Sequence, residues 1–416
     1  MIKSYDVLII GAGPAGLMCA ASINDKKVLI LEKNDKPGKK LLISGMGQCN
    51  FTNFCEMDQF IKRFGKKDRF LKPALYNFTN MDTIRFFDSL GVKSVIREDN
   101  KVFPSTFKAL DILNALLFRC SEKEVEITYN SRIEEIKYDE TDKLFIIRTK
   151  DVLYNCSSLI IATGGKSYPQ TGSTGDGYAY AKNLGHTIVQ TMPSLTPVYV
   201  EDYLFEDLSG VSLKDVKFSL WRFNRKIAEF TGDLLFTHKN LSGPAIINNS
   251  RLIEPGDTLR INFTEYDNRD EFKNYFERKI AMSGKMYVKT IIKEINMPKR
   301  LADKIMALSQ IPEGKICSEL DRNSRKKLID MISDFTLKVC RLGDYNVAMA
   351  TRGGISIDEI NSKTMESKII KNLYFAGEVI DIDGDTGGFN IQSAFSTGRL
   401  AGESASKNSS CEKVQL

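Results

Sequence analysis

The sequence predicts an α/β fold in which both ends of the chain build one domain around an inserted domain. An apolar run at residues 5–10 ends at a glycine-rich turn, and helical spacing over 14–24 leads to a second apolar run at 27–31. This is the pattern of two buried parallel strands joined by a helix. Residues 195–262 instead alternate apolar and polar positions between glycines, which is typical of antiparallel strands. After about residue 343 the glycine-rich, apolar character of the first part returns.

These changes predict the domain organisation of the 416-residue chain, which is long for a single hydrophobic core. We expect residues 1–192 and 343–404 to form the α/β domain, and residues 193–342 to form the insert. The alternating first part of the insert predicts a small, barrel-like antiparallel sheet, and residues 268–335 predict basic helices. Residues 405–416 are polar and are predicted to be a flexible tail.

The composition is that of a soluble globular protein, with 42% hydrophobic and 27% charged residues. The eight cysteines contain no CxxC pair and only two histidines are present, so we predict no metal or haem site. Nothing demands an oxidising compartment, which favours reduced thiols and a cytoplasmic location. The apolar stretch 7–23 is broken by three glycines and Pro14, so it predicts a strand, a turn and a helix, with no membrane association.

The net charge of +6 is concentrated in one segment. Residues 278–327 contain 13 basic and 5 acidic side chains, whereas the rest of the chain has a small negative balance. A second basic cluster at 62–72 is interleaved with phenylalanines. Basic stripes with aromatic residues are typical of surfaces that hold a nucleic-acid backbone, although a solvated helix face is the alternative. The clusters make RNA a candidate partner; otherwise we expect a small-molecule substrate.

The turn after the first strand carries a dinucleotide-binding pattern, Gly11-Ala12-Gly13-Pro14-Ala15-Gly16. Gly11 permits the sharp turn, Gly13 lets a pyrophosphate approach the backbone, and Gly16 lets the helix pack closely on the strand. Glu32 ends the next strand, 21 positions after Gly11, where a carboxylate binds a ribose diol. Because strand, helix and acid all accompany the glycines, the pattern predicts a dinucleotide site at the amino end of this helix.

Two further motifs favour FAD over NAD as the dinucleotide. An apolar strand ends in Thr163-Gly164-Gly165, and another ends in Gly377-Glu378, which suits a ribityl hydroxyl. Gly387-Gly388-Phe389-Asn390-Ile391 then begins a helix, whose positive end would stabilise negative charge on a reduced flavin. Further candidate cofactor contacts are Lys33, Lys40, Ser44, Gly45, Asn50 and Ile133.

Four sequence blocks carry a family resemblance: GKKLLISGMGQCNFTN at 38–53, SYPQTGSTGDG at 167–177, LFTHKNLSGP at 235–244, and TMESK through GDTGGFNIQ at 364–392. With them the chain resembles the flavoprotein family described variously as aminoacetone oxidase-like, dehydro-bile-acid reductase-like or ribosomal-RNA dihydrouridine synthase-like. One position departs from this family, which usually has arginine before the Cys-Asn pair where this chain has Gln48. If that arginine binds an anionic group, another residue such as Lys39 or Lys40 must do so here.

The resemblance implies an FAD-dependent oxidoreductase that saturates a conjugated C=C bond. Flavin N5 delivers hydride to the β-carbon of an unsaturated carbonyl, and an acid protonates the α-carbon. Because the chain has a single GxGxxG, either NAD(P)H visits the flavin transiently or another donor reduces it. Candidate acids are Cys49, Tyr168 and His238. A packed, buried residue is the alternative for Cys49, and a capping or loop residue is the alternative for His238.

Three functions remain open from the sequence. The first is reduction of uridine to dihydrouridine in ribosomal RNA, with the base extruded into the pocket. The second is a small-molecule reaction of the same fold, either reduction of an enone or oxidation of an amine. The third is a flavin-bound RNA-binding factor that does not turn over.

Overall fold

The computed structural model describes residues 2–408 and divides into two compact units. The main unit contains the residues up to Ser194 and those from Tyr345 onward, and the barrel unit is Leu195–Asp344. Each unit has its own hydrophobic core.

The first segment of the main unit supplies a series of strands and helices. Its strands are β1 (Ile2–Ile10), β2 (Val28–Leu31), β3 (Thr52–Asn53), β4 (Ser94–Ile96), β5 (Lys101–Pro104), β6 (Glu126–Thr128), β7 (Ile133–Asp139), β8 (Leu144–Thr149), β9 (Leu153–Ile161) and β10 (Ile188–Ser194). Its helices are α1 (Pro14–Ser22), α2 (Lys39–Ile43), α3 (Met57–Lys62), α4 (Asp68–Asn77), α5 (Asn80–Ser89), α6 (Ala109–Glu122) and α7 (Asp176–Asn183).

The barrel unit combines a closed antiparallel barrel with helices. Its strands are β11 (Val198–Val200), β12 (Ser212–Arg222), β13 (Arg225–Phe236), β14 (Leu241–Ser242), β15 (Thr258–Asn262) and β16 (Phe335–Leu342), and they close in the order β11-β14-β13-β12-β15-β16. Its helices are α8 (Pro244–Asn249), α9 (Arg269–Met282), α10 (Val288–Lys293), α11 (Lys299–Ser309) and α12 (Arg322–Ser333). Phe205, Phe236 and Phe335 pack together in its core.

The chain then returns to the main unit as β17 (Ala350–Ile355), β18 (Leu373–Phe375) and α13 (Phe389–Asn408). Strand β17 pairs with β10 in a two-stranded sheet. The sequence predicts a flexible tail over residues 405–416. Residues 405–408 instead belong to α13, and residues 409–416 lie outside the described residues.

The main sheet has the strand order β6-β2-β1-β9-β8-β7, and β18 pairs with the last part of β9. Strands β6, β2, β1, β9 and β18 run parallel, whereas β8 is antiparallel to its neighbours. Residues 7–10 and 28–31 are fully buried, as expected for parallel strands covered on both faces. The carboxyl ends of β1, β2, β9 and β18 therefore meet at one edge, called here the carboxyl edge.

Glycines bring α13 against α1 beside this edge. A Cβ on Gly398 would lie 2.5 Å from the carbonyl oxygen of Ala15, and a Cβ on Gly402 would lie 2.3 Å from that of Cys19. Only glycine therefore allows the two helices to pack this closely. The contact fixes the direction in which α13 leaves the carboxyl edge.

Candidate cofactor-binding site

The turn between β1 and α1 leaves an open space at the amino end of the helix. Gly11 has a φ of +102°, and a Cβ on Gly16 would lie 1.9 Å from the Gly11 carbonyl oxygen. A Cβ on Gly13, in contrast, would meet no atom within 4 Å, and no side chain caps α1. The first backbone N–H groups of α1 thus face a space that suits a phosphate.

Glu32 is held beside this turn at the end of β2. Its side chain is 6% exposed, and Oε2 accepts a hydrogen bond from Ala12 N at 2.8 Å while Oε1 accepts one from Asn34 N at 2.8 Å. A carboxylate oxygen has two lone pairs, so Oε2 retains capacity for a ribose hydroxyl. Lys33 instead forms an ion pair with Asp176 at 2.7 Å. The carbonyl oxygen of Ile133 accepts a hydrogen bond from the Tyr180 hydroxyl at 3.1 Å.

Glu378 is the centre of a second group at the carboxyl edge. Its Oε1 accepts a hydrogen bond from Thr351 N at 2.7 Å, and its Oε2 pairs with Lys40 Nζ at 2.7 Å. A Cβ on Gly165 would lie 2.5 Å from Thr351 Oγ1 and 2.9 Å from Glu378 Oε1. Gly165 therefore makes room for this arrangement. Sequence reasoning missed Thr351, because no motif marks it.

The amino end of α13 is held by the short strand β3. The Thr52 hydroxyl donates to Gln392 Oε1 at 2.6 Å, Asn53 Nδ2 donates to the Gly387 carbonyl oxygen at 3.0 Å, and a Cβ on Gly388 would lie 2.3 Å from Thr52 O. These contacts fix the first turn of a 20-residue helix, where the helix dipole favours negative charge.

Residues at the start of α13 also make contacts within the protein. Asn390 Oδ1 accepts from Gly384 N at 2.8 Å and Nδ2 donates to Gly384 O at 3.0 Å. The Phe389 ring packs edge-on against Phe60 at 4.7 Å, and Ile391 packs against the core. Asn390 thus fixes the loop that precedes the helix.

The loop from Ser44 to Asn50 has an unusual backbone. Gly45, Met46, Gly47 and Cys49 all have positive φ. Cys49 is fully buried, and burial raises the pKa of its thiol to about 12. The Ser44 hydroxyl donates to Leu41 O at 2.7 Å, and Asn50 Oδ1 accepts from Val102 N at 3.1 Å. Strained backbone of this kind persists at functional sites.

The three candidate acids lie on different parts of the molecule. Cys49 and Tyr168 belong to the main unit, whereas His238 lies in the barrel unit, in the turn between β13 and β14. Tyr168 is partly exposed and its backbone N–H donates to Tyr345 O at 2.8 Å. Two residues before it, Lys166 N donates to Thr351 Oγ1 at 2.8 Å. Through Thr351, the Tyr168 loop is therefore connected to Glu378.

The basic cluster at 62–72 is partly used inside the main unit. Lys67 forms an ion pair with Asp381, and Arg63 lies 3.5 Å from Asp385. These two cations hold the loop that leads to α13. They are therefore less available to a nucleic-acid backbone than the sequence pattern predicts.

The basic segment of the barrel unit also contains both paired lysines and lysines that line a cavity. Several of its lysines are paired with carboxylates: Lys279 with Glu294 at 2.6 Å, Lys289 with Glu313 at 2.9 Å, and Lys304 with Asp207 at 2.9 Å. Asn323, Lys326 and Lys327 on α12, in contrast, line a cavity of about 530 Å³. The positive charge of this segment is therefore less available than its sequence suggests.

Two of the buried hydroxyl groups of the main unit, those of Thr163 and Tyr178, have no hydrogen-bond partner among the described residues. Buried polar groups without partners are rare and costly, so a bound molecule at this edge would complete them. Together with the open space at Gly13, they fit FAD, which the α1 amino end, Glu32 and Glu378 would hold.

Metal-binding clusters and membrane-spanning helices are both absent from the described part of the chain. Among residues 2–408, no three His, Cys, Asp or Glu side chains are grouped so as to hold a metal ion. Within the same range, no helix is both long enough and apolar enough to cross a bilayer.

Comparison with known proteins identifies the family. A model of the HI0933-like protein Rossmann domain matches residues 5–404. The chain belongs to this family. The prediction of an FAD-dependent oxidoreductase with a Rossmann-type α/β fold is thereby confirmed.

Similarity to individual relatives extends over nearly the whole chain. The chain is 31% identical to the ribosomal RNA dihydrouridine synthase of Escherichia coli (strain K12), over 95% of this chain and 96% of that protein. It is 30% identical to the 3-dehydro-bile acid delta(4,6)-reductase of Clostridium scindens, over 96% and 98% of the two chains. Among solved structures, a flavocytochrome c3 fumarate reductase matches with a TM-score of 0.54 at 18% identity, covering 98% of this chain and 79% of that one, which supports the fold alone.

Proposed function

We propose that this enzyme reduces the C5=C6 bond of a uridine in ribosomal RNA and forms dihydrouridine. The observation that carries the proposal is the similarity to a ribosomal RNA dihydrouridine synthase over 95% of the chain. One relative is named for forming dihydrouridine and the other for a delta(4,6)-reduction of a 3-dehydro-bile acid. Both reactions saturate a C=C bond that is conjugated to a carbonyl. A flavin-dependent hydride transfer followed by protonation accomplishes either reaction.

The main unit supplies the features that this reaction requires. Reduced FAD, when bound, supplies a hydride from N5. The amino end of α13, fixed by Thr52 and Asn53, would favour negative charge on a flavin ring held beside it. Glu378 and Lys40 are already paired at 2.7 Å, so their side chains are held in position before the cofactor binds.

We assign protonation of the substrate carbon to Tyr168. Its side chain is partly exposed and its loop is joined to Glu378 through Thr351. Cys49 suits this role less, because burial raises the pKa of its thiol and thus disfavours the thiolate that proton donation would leave. His238 is in the other unit and keeps its alternative role as a loop residue.

Ribosomal RNA as the substrate has consequences for the electron donor and for the cellular location of the enzyme. A uridine in folded RNA must be extruded to reach the flavin, and phosphates are attracted by a chain with a net charge of +6. The single GxGxxG favours NAD(P)H as a transient electron donor. Ribosomal RNA as substrate requires a cytoplasmic location.

Nucleoside mass spectrometry of ribosomal RNA tests the proposal. A strain without the gene is expected to lack one dihydrouridine, and the wild-type gene is expected to restore it. Complementation with Gly13→Ala, which is expected to bind FAD poorly, separates catalysis from a purely RNA-binding role, because only a catalyst needs its flavin. Unchanged dihydrouridine in the deletion strain would refute the proposal.

A second candidate is reduction of a small-molecule enone, favoured by the 30% identity to the bile acid reductase. Anaerobic incubation of the purified protein with NADH or NADPH and a steroid 4-en-3-one tests it by chromatography of the product. Saturation of the steroid together with unmodified RNA would favour this candidate. Bleaching of the flavin band in the same experiment identifies the electron donor.

A further inference from the structure

We infer that Arg97 binds a phosphate of the RNA next to the target uridine; this rests on the proposed function. Arg97 lies in the turn between β4 and β5, and its Nη2 donates to Gln48 Oε1 at 3.1 Å. The guanidinium is therefore attached to the loop from Ser44 to Asn50. Three residues after this loop, Asn53 contacts the amino end of α13.

Two aromatic rings hold the guanidinium without neutralising its charge. Its central carbon lies 4.2 Å from the centre of the Phe103 ring and 5.3 Å from that of Phe107. Phe103 is buried and lies against Gly45, so the position of Arg97 is fixed to the loop from two sides. Stacked arginine keeps its full charge and most of its N–H donors.

Arg97 differs from the nearby lysines because their charges are neutralised by carboxylates. Lys39 pairs with Asp35, Lys40 with Glu378 and Lys101 with Asp99, at distances between 2.6 and 2.7 Å. Arg97 forms no ion pair with any of residues 2–408. An exposed arginine that is stacked, oriented and uncompensated is suited to a phosphate, whose oxygens accept two parallel N–H bonds.

The same loop carries an exposed apolar side chain two residues before Gln48. Met46 has a left-handed backbone and is 96% exposed. A flexible thioether adapts to planar groups, so we expect Met46 to contact a base when Arg97 binds a phosphate. A nucleotide combines these two chemistries, whereas a simple carboxylate uses only the second.

Binding of a fluorescein-labelled, single-stranded, uridine-containing RNA to the FAD-loaded protein tests the inference. Arg97→Ala is expected to weaken binding about tenfold, and to reduce the slope of log K against log salt by about 0.7, the value for one phosphate contact. Arg97→Lys should restore the slope without the full affinity, because lysine lacks the planar fork. The control, Arg85→Ala, removes an arginine whose side chain is 73% exposed and should change affinity less than about twofold.

Three outcomes would overturn the role of Arg97. The first is an unchanged salt slope in Arg97→Ala. The second is a loss of affinity that accompanies an altered flavin spectrum, which would make Arg97 a brace of the loop. The third is that Arg97→Ala binds a carboxylate-bearing steroid enone more weakly than wild type but binds RNA with unchanged affinity. Dihydrouridine in the deletion strain is measured independently, so the proposed function stands or falls separately.

Discussion

Gly13 and Gly16 lie three residues apart, yet alanine at the two positions should have different effects. At Gly13, φ is −82° and ψ is −178°, a conformation that alanine adopts without strain, and a Cβ meets nothing within 4 Å. Alanine is a poorer helix N-cap than glycine by up to about 1 kcal/mol, but it restricts the unfolded chain and returns about 0.4–1 kcal/mol. The free energy of unfolding of cofactor-free Gly13→Ala should therefore stay within about 0.5 kcal/mol of wild type.

At Gly16 the same methyl group has no room. A Cβ there would lie 1.9 Å from Gly11 O, whereas real contacts are not closer than 3.0 Å, so helix and turn must separate by about 1 Å. Overpacking of this kind costs about 1–3 kcal/mol. Gly16→Ala should therefore lose stability even without the cofactor.

Both variants should bind FAD weakly, for different reasons. In Gly13→Ala the methyl group occupies the space that the pyrophosphate needs, and in Gly16→Ala the helix end is displaced. Loss of two hydrogen bonds to a charged group, at about 1.5–3 kcal/mol each, corresponds to an affinity at least about a hundredfold lower. Urea titration of the cofactor-free proteins and FAD titration followed by flavin fluorescence measure the two quantities. Wild-type FAD affinity in Gly13→Ala would refute this placement of the cofactor.

The remaining predictions concern the proton donor and a buried histidine. Tyr168→Phe should slow C=C reduction about a hundredfold or more without slowing flavin reduction in stopped-flow measurements, and a larger effect of Cys49→Ala would contradict the assignment. His186 lies 3.2 Å from Glu359 and 2.9 Å from Ser367, fully buried, and burial lowers its pKa below the usual 6.5. The unfolded chain therefore binds the proton more tightly, so the free energy of unfolding should fall as the pH drops below about 6.5. Urea titrations across this range should show a weaker pH dependence for His186→Asn; equal dependence in both proteins would disprove the explanation.

The parts of the fold that the sequence predicted are those set by local mechanics. The runs at 7–10 and 28–31 are apolar at every position, as strands buried on both faces require, and the glycine turn between the first run and the helix favours strands over a buried helix. The spacing of Gly11, Gly13 and Gly16 has a mechanical reason at each position. The first glycine forms the turn, the second leaves space for a phosphate, and the third lets the helix pack closely on the turn. Such signals lie within one or two elements, so they can be recognised without tertiary information.

The parts that escaped prediction depend on distant partners. Thr351 contacts Lys166, 185 residues earlier, and Glu378, 27 residues later, and no spacing rule relates these positions. Lys67 pairs with Asp381 across 314 residues. In sequence it belongs to a basic cluster that predicts either a nucleic-acid contact or a solvated helix face, and only the folded chain reveals that its charge is used internally.

The order of the elements explains why the candidate site combines residues from both sides of the insert. Gly13, Glu32 and Gly165 precede the barrel unit, whereas Glu378 and the amino end of α13 follow it. Because β18 pairs with the last part of β9, the second segment is placed at the carboxyl edge by sheet hydrogen bonds of the main unit itself. The edge is thus complete only when the returning chain has paired, so a dinucleotide bound there should stabilise the association of two segments that are far apart in sequence.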